Sequence, residues 1–222
     1  MKKQLFIFLF LLLTAGIYAQ TDKEQLALNV SKAEEANQEK LKDYIWKRSS
    51  NVYIENQLKL TNVAEFKFNA DGKLETTVID TKTTVKKKPG IRGAAQQNAA
   101  EDKADYVQKA LELAMQYAFL SKGELVDFFD KAAIAEKDGL IEATASNVHV
   151  KGDKLTLRID PATNLIVYKE FSSLLGTDLI DGQLNYDKFS NGTVHGTTTI
   201  LNLPVQKMRI DGLNQDYTIR VQ

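Results

Sequence analysis

The chain has few residues able to do chemistry. Its 222 residues include two histidines, His149 and His195, and no cysteine. Without a thiol, neither cysteine nucleophiles nor zinc–thiolate sites can be built. His149 and Asp153 are four apart and could meet at one ion, but metal sites use three or four ligands. No metal is expected. Asp178 and Asp181 are near enough in sequence to suggest a glycosidase pair. Beside Gly182 they read instead as turn residues, whose carboxylates serve the backbone. The patterns H-E-x-x-H, G-x-S-x-G and a phosphate-cradling glycine loop do not occur. No catalytic residue and no cofactor are expected, and the chain is not read as an enzyme.

Its binding chemistry is richer. Trp46, Phe66, Phe68, Tyr106, Tyr117, Phe128 and Phe129 all fall on faces expected to point inward. Such aromatics either fill an ordinary core or line a cavity for an apolar ligand. A second candidate is cationic. Lys82, Lys86, Lys87, Lys88 and Arg92 lie in residues 81–100 with no acidic residue among them, beside Pro89, Gly90 and Gly93. This stretch lacks periodicity and reads as a long, mobile basic loop. It is either simply solvated or a flap that meets anionic lipid headgroups or an acidic partner. Over the whole chain, 29 Lys and Arg balance 29 Asp and Glu, so the basic excess of a nucleic-acid protein is missing.

The start of the chain sets the compartment. Met1-Lys2-Lys3, the apolar run from Leu5 to Leu13, and the small, neutral Thr14 to Ala19 form the three parts of a secretory signal peptide. The run is well short of the ~20 residues that cross a bilayer, so cleavage after Ala19 is expected. Residues 1–19 are then the signal peptide and 20–222 a single domain, in the periplasm or outside the cell. No transmembrane segment is expected in the mature part. Lacking cysteine, that domain has neither disulfides nor a lipid-bearing cysteine, and its core of roughly 200 residues must hold unaided.

The elements that position these side chains follow from periodicity. Thr21 and Glu24 make a capping box, and Leu26, Val30, Ala33, Asn37 and Leu41 recur at helical spacing, predicting a helix over 22–43. Alternation then takes over through Trp46, Val52, Ile54, Phe66 and Phe68. Asn69-Ala70-Asp71-Gly72 supplies a tight turn before Leu74, Thr76 and Val78. Helix returns near Glu101 and runs through Tyr117. Ser121 and Glu124 start a further helix whose buried side carries Leu125, Phe128, Phe129, Ala132 and Ala133, and Gly139 follows its end. From Ile141 onward the pattern is strands. Turns are expected at Lys151-Gly152-Asp153, at Asp160 to Asn164, at Asp181-Gly182 and at Asn191-Gly192, and Pro204 marks an edge or a break. The fold class is α+β.

The order of helix, meander, loop, helical hairpin and long antiparallel strands resembles the LolA/LolB-like superfamily of periplasmic lipoprotein carriers. Locally, Leu41 to Arg48, Phe66 to Lys73 and Asn214 to Tyr217 are similar to a group of exported bacterial proteins of that fold. The resemblance implies a strongly curved antiparallel sheet, a half-open barrel, with an N-terminal helix and a helical hairpin covering its concave face. It implies a lipid or lipoprotein as partner. Two readings follow: a carrier for an acyl chain, lipid or lipidated peptide in the cell envelope, or a non-catalytic interaction module with a filled core.

Overall fold

The computed structural model describes the backbone of residues 2–69, 72–84 and 91–220, and the side chains of these residues except 2–21 and 91–102. Three helices, α1 (Lys2–Leu41), α2 (Ile91–Ala118) and α3 (Lys122–Lys131), accompany ten strands among the described residues. The strands are β1 (Tyr44–Ile54), β2 (Gln57–Phe68), β3 (Leu74–Thr83), β4 (Ala133–Lys137), β5 (Leu140–Ser146), β6 (Lys154–Ile159), β7 (Ile166–Leu175), β8 (Asp178–Lys188), β9 (Val194–Leu203) and β10 (Met208–Ile219). They form one curved antiparallel sheet in the order β3-β2-β1-β10-β9-β8-β7-β6-β5-β4. The two ends of the chain's strand content meet where β1 pairs β10, with Tyr44 opposite Ile219. Edges remain open at β3 and β4.

Turn chemistry sets the register. Glu55 and Asn56, at φ 52° and 61°, join β1 to β2, and Asp138 and Gly139, at 53° and 76°, join β4 to β5. Two consecutive left-handed residues give a turn whose twist matches that of the strands. Gly192, at φ 83°, closes the hairpin between β8 and β9, where Asn191 was expected to help and does so by accepting from the Thr193 N–H at 3.0 Å. Asp160 organises the loop before β7, accepting from the Ala162 N–H and the Thr163 hydroxyl at 2.9 Å each. Pro204 opens a short 3-10 turn between β9 and β10.

Four sequence expectations are corrected. First, α1 runs unbroken from Lys2, so Thr21 is not a helix start. No proline interrupts residues 2–41, and nothing there forces a stop. Second, α2 begins at Ile91 rather than near Glu101, and Lys82 belongs to β3, so the stretch between β3 and α2 is shorter than 81–100. Third, α3 ends at Lys131. Ala132 turns extended (φ −68°, ψ 140°) and Ala133 lies exposed in β4. Pairing with β5, through Ala133–Thr144 to Lys137–Leu140, overrides the helix propensity of this segment. Fourth, Asp181 and Gly182 are not a turn but the middle of β8, because the Phe171 ring occupies the space a Cβ at Gly182 would fill. Gly176, at φ 65°, makes that turn instead.

The helices cover part of the concave face. α1 packs on α3, α2 on β7 and β8, and α3 on β5. Ser121 caps α3 with the expected box: Glu124 N–H donates to its hydroxyl at 3.3 Å, and Ser121 N–H donates to the Glu124 carboxylate at 2.7 Å. Below lies the main core, where Val30, Leu125, Phe128 and Phe129 meet Leu155, Leu157 and Ile180 with almost no exposure.

Candidate functional site

Period-two alternation places Trp46 of β1, Phe66 and Phe68 of β2, and Phe171 and Lys169 of β7 on the concave face. The predicted aromatics there separate into two groups. Trp46 stands 6.0 Å from Phe66, 5.7 Å from Phe68 and 5.6 Å from Tyr217, ring centre to ring centre. Phe128 and Phe129 meet edge to face at 5.3 Å inside the main core. Tyr117 belongs with the second group and stacks on Phe171 at 4.4 Å. Tyr106 is half-buried and donates to Asp178 at 3.1 Å.

Between the two groups lies a cavity of about 440 Å³, bounded by α1, the α2–α3 junction and the inner faces of β2, β7, β8 and β9. Its apolar walls include Leu41, Phe68, Leu120, Leu125 and Ile166, and Phe119, half exposed, stands among the lining side chains. Of the seven predicted aromatics, Phe68 alone lines it. A larger hollow of about 650 Å³ at the β1–β2 turn is an open groove of mixed lining, with Glu55, Asp181, Lys207 and Arg209 beside Tyr53, Pro204 and Met208.

The cavity has a polar floor that sequence reasoning passed over. Lys169 is 4% exposed, and its Nζ donates to the Ala118 carbonyl at the end of α2, at 2.7 Å. That bond satisfies one of the carbonyls a helix end leaves unpaired. The same Nζ lies 5.8 Å from the centre of the Tyr186 ring. Glu34 of α1 faces Lys169 and accepts from the Ile166 N–H at 2.8 Å. Burial lowers the Lys169 pKa, an effect the charge of Glu34 opposes. Burial likewise raises that of Glu34, against Lys169 and the Ile166 bond. Tyr186 is pushed up by burial first and by Glu34 second. The signal was available: Lys169 sits two residues before Phe171 in an alternating strand, hence on the same buried face.

α1 is held over this space by a paired contact. Asn37 Nδ2 donates to the Val194 carbonyl and its Oδ1 accepts from the Val194 N–H, both at 2.8 Å. The amide thus pairs β9 as a strand would. Asn37 had appeared only as a member of the helical stripe.

Asp153 is fully buried and is a loop organiser. Its carboxylate accepts from the Tyr117 hydroxyl at 2.6 Å and from the N–H groups of Val148, His149 and Val150 at 2.7, 2.8 and 2.9 Å. Burial would raise its pKa, but these bonds prevail and it is lowered. The His149 ring faces Glu124 at 3.8 Å rather than Asp153. Among the described residues no group of three His, Asp or Glu could hold a metal ion. His195 stacks on Phe189 at 3.9 Å, and burial lowers its pKa. Asp181 accepts from the Asn202 amide at 2.7 Å. Lys82 pairs with Asp80 at 3.3 Å on the exposed strand β3. Lys86, Lys87, Lys88 and the Arg92 side chain lie outside the described residues. Among the described residues no helix is long and apolar enough to cross a membrane.

No protein-family model matches the chain, and no curated protein is similar to it in sequence. Among solved structures, a DUF1329 family protein from Desulfovibrio piger is similar over 91% of this chain and 93% of its own, with 10% identity and a TM-score of 0.44. An outer membrane lipoprotein-sorting protein domain from Vibrio parahaemolyticus is similar over 87% and 92%, with 11% identity and a TM-score of 0.42. A LolA superfamily protein from Nitrosomonas europaea covers 85% and 94%, with 11% identity and a TM-score of 0.37.

Proposed function

We propose that this protein is an exported, non-catalytic carrier that holds an apolar chain, the acyl part of a lipid or lipidated peptide, in the cavity beneath α1 and the α2–α3 junction. The observation that carries this reading is the cavity itself: about 440 Å³ with apolar walls between helices and sheet, a size in the usual range for small-ligand sites. Phe119 supports it, being half exposed beside that space, as a chain entering from lipid or from a partner protein would require. The work is done in the cell envelope, after loss of residues 1–19. The basic residues Lys82, Lys86, Lys87, Lys88 and Arg92 would bring the cavity to an anionic membrane surface, where each is worth about 1 kcal/mol of attraction.

Native mass spectrometry of protein from its own cells tests the reading. A co-purifying lipid is expected, together with a change in Trp46 emission when lipid is stripped and restored, since Trp46 touches the cavity wall through Phe68. A clean apo mass, with Trp46 emission indifferent to every acyl ligand tried, would overturn it. A second reading, a protein-interaction module, is favoured by one feature. β3 is an edge strand exposed along nearly its whole length, with Val78 59% and Ile79 53% exposed on opposite faces, the kind of edge a partner strand can extend.

A further inference from the structure

Three polar groups facing the cavity have hydrogen-bonding capacity that the chain does not use. An ammonium has three donors, and Lys169 commits one to Ala118. Glu34 is near enough to act on its charge. The Tyr186 hydroxyl makes no hydrogen bond among the described residues, although the ring lines the cavity. Ser31 Oγ, on α1, is buried without a partner. A capping role explains the Ala118 bond of Lys169, but not why a strand lysine, a tyrosine and a serine all leave donors toward one apolar-walled space. Of the three only Ser31 Oγ is a buried group without a partner, at a cost of ~1–3 kcal/mol. Tyr186 is partly exposed, so its hydroxyl and the spare donors of Lys169 are within reach of a ligand that enters the cavity.

We propose that the cavity takes a single-chain amphiphile head first, with an anionic head, a carboxylate or phosphate monoester, held by the Lys169 ammonium and the Tyr186 hydroxyl. This rests on the carrier reading and specifies its ligand. The chain then lies along Phe68, Leu41 and Leu120 toward Phe119. Glu34 is the competing charge. Its carboxyl already binds protons more readily because of burial, and an anion arriving at Lys169 favours the protonated acid further.

The test uses delipidated full-length mature protein, Trp46 emission as readout, and three probes: dodecanoic acid, dodecyl phosphate and methyl dodecanoate. The acid or the phosphate should bind about tenfold or more tightly than the ester, as a charge-assisted contact warrants; which of the two binds better identifies the head. Lys169→Met should bring the anions to the ester's affinity while leaving the ester within about twofold, because the apolar walls are untouched. Tyr186→Phe should weaken the anions alone, and Glu34→Gln should tighten them. A purely structural Lys169 would weaken all three probes together. If Lys169→Met does not fold, the wild-type preference and Tyr186→Phe decide. Ester binding as tight as acid binding overturns the head-group proposal and leaves the carrier standing. No binding of any probe, with a clean native mass, overturns both.

Discussion

Two inward-facing tyrosines divide the concave face into a filled half and a hollow one. Tyr117 donates to Asp153 at 2.6 Å and lies 2.8 Å from Ser173 Oγ, and its ring is stacked on Phe171, all within the packed core under α2 and α3. Tyr186, on β8 beside the β7 strand that Tyr117 packs against, shares its surroundings with Lys169 and Glu34, and its hydroxyl has no partner among the described residues. Both residues are aromatic and inward-facing, but Tyr117 is fully buried while Tyr186 keeps some exposure. What also separates them is whether polar capacity is consumed by the chain itself or left beside open volume.

The largest effect expected from breaking this contrast is in the filled half. Phe128→Ala removes a ring that is 1% exposed and should cost about 3–5 kcal/mol in chemical denaturation, from lost burial and the cavity left behind. Ligand affinity, measured on the folded fraction, should hardly move. A cost near 1 kcal/mol would mean that this half too is loosely filled.

Asp153→Ala comes next, at about 2–3 kcal/mol, because Tyr117 and three loop N–H groups lose their acceptor in a buried place. The same carboxylate gives a pH signature. Its folded pKa is depressed, so its contribution is fully present above the unfolded value near 3.8 and is lost as pH falls through the folded one. Stability of the wild type against denaturant should fall below about pH 4, and Asp153→Asn should flatten that fall. An unchanged acid limb would contradict the assignment.

Phe68→Ala acts in the hollow half. Because the ring borders open space on one side, the stability loss should stay below about 3 kcal/mol. Binding of an acyl probe should weaken more than it does in Phe128→Ala. The reverse ranking would erase the distinction between the halves. Smaller again is Ser121→Ala, which removes the cap of α3 and should cost about 1 kcal/mol. Smallest is Ile79→Thr on β3, expected within about 0.5 kcal/mol because the side chain is 53% exposed.

Several features were legible in residue order alone. The helical stripe through Val30 and Asn37, the capping box at Ser121, the turn at Asp160 to Asn164 and the hairpin at Asn191-Gly192 depend on contacts within a few residues. There local chemistry decides. Where a distant strand competes, the local reading failed: Ala133 to Lys137 carries helix formers but pairs with β5, and Gly182 looks like a turn yet yields space to Phe171 eleven residues earlier. The candidate site suffered most. Of the seven expected aromatics five are buried and Phe66 and Tyr106 are half-buried, and only Phe68 borders the cavity. Lys169 is not legible as a site residue, because a lysine in a strand is ordinarily at the surface, and Tyr186 reads only as one more residue of a strand.

By itself the sequence determined the α+β class, the alternation that puts Trp46, Phe68 and Phe171 on one face, and the absence of cysteine chemistry. These depend on composition and on periods of two and 3.6, which any stretch of chain carries within itself. Only the tertiary structure decided that β1 closes onto β10, that Asn37 clasps Val194 across 157 residues, and that Lys169, Glu34 and Tyr186 converge under α1. Convergence of that kind depends on how the sheet curves and where the helices settle on it. Those are properties of the packed whole, and no local period encodes them.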